Sequence, residues 1–199
     1  MGNRSIEFFD AQFRRQIPAG DFRLNPFEER ALAHLTGTVL DLGCGLGNLA
    51  LEAARRGLTV DAVDASAAAI ERIAAAAKTE QLPVRARVAD LASWRFERTY
   101  STIVSIGLFM FFPRERALEL LTGLQEHVEP GGRAIVNVLT EGTTFLDMFQ
   151  SDAFHLFGRG ELERRFAGWT LLSSVHESFP APGNTLKEFD TVIAAKRPE

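Results

Sequence analysis

Three features of this 199-residue chain predict an α/β fold: a seven-stranded, mostly parallel sheet with helices on both faces and an antiparallel C-terminal hairpin. The first is Val39-Leu40-Asp41-Leu42-Gly43-Cys44-Gly45-Leu46-Gly47-Asn48-Leu49, where an apolar run ends in a glycine-dense turn and opens into a helix. Such a turn needs positive φ and a backbone bare of Cβ, which glycine supplies. The second is the alternation, from Thr38 onward, of short apolar runs with amphipathic segments, as in parallel strands fed by crossover helices. The third is a pair of final runs, Trp169–Val175 and Phe189–Lys196, with no helix-length segment between them. They should pair antiparallel around a long loop from Glu177 to Glu188.

The elements follow in order. Residues 1–35 read as a helical, aromatic-rich lead-in and lid, and 36–199 as the core of the same single domain. Asn25-Pro26 suits a helix start. Thr38–Leu42 reads as a strand and Gly47–Arg56 as a helix ended by Gly57 in the manner of a C′ glycine. Thr59–Val63 is the second strand. Ser66 caps a helix reaching Lys78, with Ile70, Ile73, Ala74 and Ala77 as its apolar stripe. Val84–Ala89 and Thr102–Ile106 are strands. A helix with Pro113 in its first turn spaces Leu118, Leu121, Leu124 and Val128 down one face. Pro130-Gly131-Gly132 turns into the strand Arg133–Leu139, and 144–150 and 160–167 read as helical.

Hydrophobic residues make up 46% of the chain and the formal net charge is −4, a balance against a broad nucleic-acid footprint. No apolar run approaches the roughly 18 residues of a membrane span, and no N-terminal run resembles a secretory signal. Cys44 is the single cysteine, so no internal disulfide forms. The expectation is a soluble protein of a reducing, cytoplasmic compartment that meets a small molecule rather than nucleic acid or membrane. Sixteen Phe stand against one Tyr and two Trp. Most belong to core packing, but Phe9 and Phe13 in the lead-in, with Phe109 and Phe111 after the fourth strand, are placed to line an apolar substrate wall.

In an open parallel sheet the ligand lies beyond the carboxyl ends of the strands at the switch point, here the Gly43–Gly47 turn. Gly43, Cys44 and Gly45 would offer bare backbone. Asp64 ends the second strand 17 residues past Gly47, close to the roughly 20-residue offset of an acid that grips ribose hydroxyls. Small Ala65 would let an adenine lie flat. Asp90 can accept from an adenine amino group or cap its own strand end, while Leu91 covers the ring. Asp41 can organise the turn or meet an ammonium, and Ser105 and Ile106 close the fourth strand against the ligand. The run is G-x-G-x-G, with Asn48 where a dinucleotide turn has its third glycine. Acids crowd it (Asp41, Asp64, Asp61), which suits a cationic ligand with a sulfonium and an ammonium better than a diphosphate. Turn and acid together imply an adenosine-containing cofactor. His176 is the candidate catalytic residue, as a base or an orienting group, against the alternative of a solvent-facing strand end. One Cys and four scattered His show no metal-ligand spacing. Cys44 reads as a small buried residue, and Arg14, Arg15 and Arg23 as surface salt-bridge partners, against the alternative that they bind an acidic substrate or close over a cofactor carboxylate.

Val39–Asn48, Asp64, Ala89-Asp90-Leu91 and Pro130-Gly131-Gly132 resemble the successive motifs of class I S-adenosylmethionine-dependent methyltransferases, over residues 38–196. The resemblance implies a Rossmann-like sheet with an antiparallel last strand, S-adenosyl-L-methionine as cofactor, and contacts to it at Gly43, Gly45, Asp64, Asp90 and Ser105–Gly107. Tyr100 is followed by Ser101, where the family often carries an acid. A narrower resemblance is to the tellurite-resistance methyltransferases, through Phe157-Gly158-Arg159-Gly160-Glu161-Leu162, Arg164-Arg165-Phe166 and Gly168-Trp169. His176 and the loop Gly183–Lys187 fall where that group carries a His-Arg pair and a similar loop. Here Glu177 follows His176, and the missing arginine counts against tellurite or selenite as acceptor. The expected activity is in-line methyl transfer to a small molecule. The alternatives are an NAD(P)-dependent oxidoreductase and a catalytically silent cofactor-binding module.

Overall fold

The computed structural model describes residues 4–20, 22–149 and 154–198. Its centre is a seven-stranded sheet of β1 (Thr38–Leu42), β2 (Thr59–Asp64), β3 (Val84–Val88), β4 (Tyr100–Ile106), β5 (Val128–Leu139), β6 (Thr170–Ala181) and β7 (Thr185–Ala195). The strand order is β3-β2-β1-β4-β5-β7-β6. The first five strands run parallel, and β7 pairs antiparallel with both β5 and β6. Helices α1 (Arg4–Ala19), α2 (Pro26–Leu32), α3 (Asn48–Arg55), α4 (Ala67–Glu80), α5 (Arg114–His127) and α6 (Glu161–Arg165) complete the layers. Apolar side chains of alternate strand positions feed two clusters, one per face. Leu40, Leu42 and Ile103 pack with α5, while Val39, Val104 and Ile135 pack with α2, α3 and α4.

Local chemistry accounts for the helix starts. The Asn25 side chain accepts from the backbone N–H of Phe27 and Glu28 while Glu28 accepts from the N–H of Asn25, a complete capping box at α2. The Ser66 hydroxyl accepts from the N–H of Ala69 at α4.

Three expectations are corrected. The hairpin has no long loop: β6 and β7 pair down to Ala181↔Thr185, around a turn at Pro182–Asn184 with Gly183 and Asn184 at positive φ. Pro180, a residue that a central strand would not tolerate, lies within β6. However, β6 is the sheet edge, where a proline's missing N–H forfeits no ladder bond. Pro130-Gly131-Gly132 is absorbed into β5 as an irregularity, with Gly131 at φ 76° and the register shifting between Tyr100 and Thr102. Residues 144–149 form no helix, because the N–H groups of Thr144 and Phe145 both donate to the carbonyl of Leu186 in β7; position 150 lies outside the described residues.

The extended hairpin is held by the lead-in. Phe27 of α2 packs its ring 5.4 Å from Phe179 and 4.8 Å from Phe189, and Arg30 donates two hydrogen bonds to Glu177, at 2.6 and 2.8 Å. Glu177, which replaces the expected arginine after His176, is thus an anchor for α2.

Candidate functional site

β1 lies between β2 and β4, so the chain leaves it in opposite directions and opens a crevice at its carboxyl end. The turn there holds Gly43, Gly45 and Gly47 at φ 77°, 50° and 72°. The carbonyl of Val63 receives the N–H groups of Gly43 and Cys44, binding the turn to β2. A Cβ at Gly47 would stand 2.4 Å from Cγ1 of Ile73, so α4 packs directly on bare backbone.

Above the turn lies a cavity of about 930 Å³. Gly43, Cys44, Gly45, Asp41, Asp64, Ala65, Asp90, Leu91 and Ile106 line it. Asp64 accepts from the N–H of Gly45 at 2.9 Å and of Ser66 at 2.8 Å, one on each oxygen, so it ties turn to helix and keeps lone pairs for a ligand. Burial raises its carboxyl pKa, and these backbone donors partly offset the rise. Asp41 is 5% exposed, and among the described residues no donor reaches it. Burial, then the charges of Glu28 and Asp64, push its pKa well above 3.8. It faces the cavity, and no hydrogen bond among the described residues ties it to the turn. The Cys44 thiol is pushed up by burial and by Asp41 and Asp64, which keeps it protonated and inert. Asp90 is exposed and accepts from the N–H of Ala92, closing a local turn at the cavity edge.

Helix α1 forms the roof. Phe13 sits 3.4 Å from where a Cβ of Gly45 would be, and Phe9 meets Phe111 edge-on with ring centroids 5.1 Å apart. Asp10 of α1 accepts from the Ser66 hydroxyl at 2.5 Å and from the N–H of Ala68. The roof is thereby fastened to the N-terminus of α4, where a carboxylate is favoured. The Ser66 hydrogen bond, followed by that of Arg14, lowers the pKa of Asp10.

Four expected residues stand elsewhere. Ser105 is fully buried, its hydroxyl has no partner among the described residues, and it points away from the cavity because strand neighbours alternate and Ile106 takes the lining position. Phe109 is fully buried in the core, and Phe112 lines the cavity in its place. His176 stands outside this cavity: it lies on β6, where its ring nitrogens sit 2.7 Å from a carboxylate oxygen of Asp190 and 2.9 Å from one of Glu188. Asp61 is turned from the glycine turn and accepts from Arg98 and Tyr100. Sequence reasoning missed Glu28, which reaches the cavity from α2. Its capping-box spacing from Asn25 could have placed it on the first turn, though not against Asp41.

Asp41→Asn should stabilise the ligand-free fold by about 1–2 kcal/mol at neutral pH, the cost of a buried unsatisfied charged group. The raised folded pKa means that wild-type stability is fullest below the ordinary 3.8 and is lost as pH rises through the folded value. The gap between variant and wild type should accordingly widen from pH 4 to pH 8 in urea titrations. A variant less stable than wild type at both ends refutes this account of Asp41.

Residues 39–132 match a family model described as a methyltransferase domain. The chain is 28% identical over 167 residues to TehB of Haemophilus influenzae (strain 10810), named "Probable S-adenosyl-L-methionine-dependent methyltransferase TehB", covering 80% of this chain and 57% of that protein. It is 32% identical over 163 residues to Hemagglutinin 1 of Eikenella corrodens, covering 79% and 54%. The chain thus spans little more than half the length of these curated relatives. The crystal structure of TehB from Haemophilus influenzae superposes with a TM-score of 0.75 at 23% identity, over 87% of this chain and 63% of that one. Residues 39–132 thus resemble a methyltransferase domain, and the likeness to TehB extends well beyond them. Among the described residues no helix is long and apolar enough to cross a membrane.

Proposed function

We propose that this chain, whose residues 39–132 match a family model described as a methyltransferase domain, is an S-adenosylmethionine-dependent methyltransferase acting on a small-molecule acceptor. The observation that carries the reading is the bare Gly43–Gly47 turn flanked by the carboxylates of Asp41 and Asp64 under an aromatic roof. The donor set fits the cofactor: a half-buried acceptor-only carboxylate at 64 for the ribose diol, and an unsatisfied buried carboxylate at 41 for the ammonium. Ala65, Asp90 and Leu91 would hold the adenine, and Gly43, Cys44 and Gly45 the backbone side. A diphosphate would instead meet the negative field of Asp41 and Asp64, which disfavours a dinucleotide.

When bound, S-adenosylmethionine supplies a methyl group already activated on a sulfonium. The protein's task is then alignment and exclusion of water more than proton transfer. Phe9, Phe13 and Phe111 supply the apolar cover, and Asp10 holds the roof down. His176 has no part in this scheme. A roofed cavity of about 930 Å³ suits a compact acceptor rather than a polymer. Titration calorimetry with S-adenosylhomocysteine and, separately, NADH tests the reading: the first should bind and the second should not, and the reverse result overturns it.

A further inference from the structure

We propose that Glu28 selects the acceptor, and that the acceptor is an amine on an aromatic or otherwise apolar body, not an oxyanion. This rests on the methyltransferase reading of the cavity. Among the described residues, five carboxylates line that cavity (Glu28, Glu29, Asp41, Asp64 and Asp90) against one guanidinium, Arg23. Two of the acids are occupied by backbone donors, Asp64 by Gly45 and Ser66, and Asp90 by Ala92. Asp41 is nine-tenths buried, faces the cavity and has no donor among the described residues. Glu28 stands near enough that its charge, after burial, is the largest influence on Asp41. One oxygen of Glu28 accepts from the N–H of Asn25 at 2.8 Å, and the other has no donor among the described residues.

Two carboxylates lining one cavity, with a third at Asp64, call for positive charge. The cofactor's single ammonium can satisfy Asp41, which is deeper and nearer the turn. Glu28, in the first turn of α2, is left facing whatever enters second. An oxyanion there would add further negative charge, whereas an ammonium is attracted by Glu28 and by the aromatic lining of Phe9 and Phe111. Glu28 is a specificity-determining residue in this scheme, and the aromatic wall takes the body of the same molecule.

The test uses phenethylamine, phenylacetate and tellurite as probes in titration calorimetry, each with and without S-adenosylhomocysteine. Phenethylamine should bind at least about tenfold more tightly than phenylacetate, and tellurite should give no heat. Glu28→Gln keeps an acceptor oxygen for Asn25 and so preserves the capping box. It should weaken phenethylamine about tenfold and change S-adenosylhomocysteine affinity by less than about twofold. Failure of the amine to bind, or binding of phenylacetate or tellurite as tight as that of the amine, overturns the proposal. So does a Glu28→Gln variant that loses S-adenosylhomocysteine instead of the amine. The S-adenosylhomocysteine titration separates the two claims: a protein that ignores S-adenosylhomocysteine refutes the methyltransferase reading, whereas one that binds it but shows no preference for the amine in its presence refutes only the role of Glu28.

Discussion

Asp64→Ala should weaken S-adenosylhomocysteine binding about a hundredfold in a protein that still folds. The carboxylate has two duties. It accepts from Gly45 and Ser66, which fastens the glycine turn to the start of α4, and its remaining lone pairs are offered to the ribose diol. Each hydrogen bond to a charged group contributes about 1.5–3 kcal/mol, so losing two ribose contacts costs about 3 kcal/mol, or two decades in affinity. Stability should fall far less, because the turn stays bonded to β2 through the carbonyl of Val63. Asp64→Asn separates the duties: it retains one acceptor oxygen, can serve only one of the two backbone donors, and should fall between alanine and wild type. Burial raises the Asp64 pKa, so affinity should begin to fall with acid at a higher pH than an ordinary carboxylate would dictate. Calorimetry across pH, with circular dichroism to verify folding, reads both effects. Unchanged affinity in Asp64→Ala removes the basis for placing a ribose at this strand end.

The fold was legible because its determinants are local. A glycine turn after an apolar run, a capping serine at 66 and alternating periodicities each specify an element without knowledge of its neighbours, and right-handed crossovers then leave few topologies. The errors lie where a neighbour decides. Pro180 breaks a central strand but not an edge one, and only the strand order shows that β6 is an edge. Thr144 and Phe145 give their N–H groups to Leu186 of β7, a partner far along the chain. At the site, the strand-end acids were legible because a strand's carboxyl end is where ligands meet an open sheet. Ser105 was not, since one step of strand alternation exchanges it for Ile106. Glu28 was hidden because its proximity to Asp41 depends on how α2 docks on the sheet, through Phe27 against the hairpin and Arg30 against Glu177. His176 read as a base, an orienting group or a solvent-facing strand end, and only the pairing with β7 shows a carboxylate at each ring nitrogen.

Phe109 and Phe111 are two residues apart in sequence, yet their alanine variants should fail in opposite ways. Phe109 is fully excluded from solvent within the cluster that joins β4, α5 and Phe157, so Phe109→Ala should cost about 3–5 kcal/mol of stability through lost transfer energy and the cavity left behind. Phe111 is half-buried and lines the cavity, and its ring neighbours among the described residues are Phe9 and Phe149, each at 5.1 Å. Aromatic pairs of this kind contribute about 0.5–1.5 kcal/mol each, so Phe111→Ala should cost about 1–2 kcal/mol and leave a folded protein. Its larger effect should be on ligands: phenethylamine should bind about tenfold more weakly to Phe111→Ala, while S-adenosylhomocysteine, held from the turn side, should change little. Urea denaturation and calorimetry on the two variants read stability and affinity side by side. If Phe109→Ala unfolds no more easily than Phe111→Ala, or if Phe111→Ala binds the amine as wild type does, the 3₁₀ turn at Phe109–Phe111 does not divide core from cavity in the way its geometry requires.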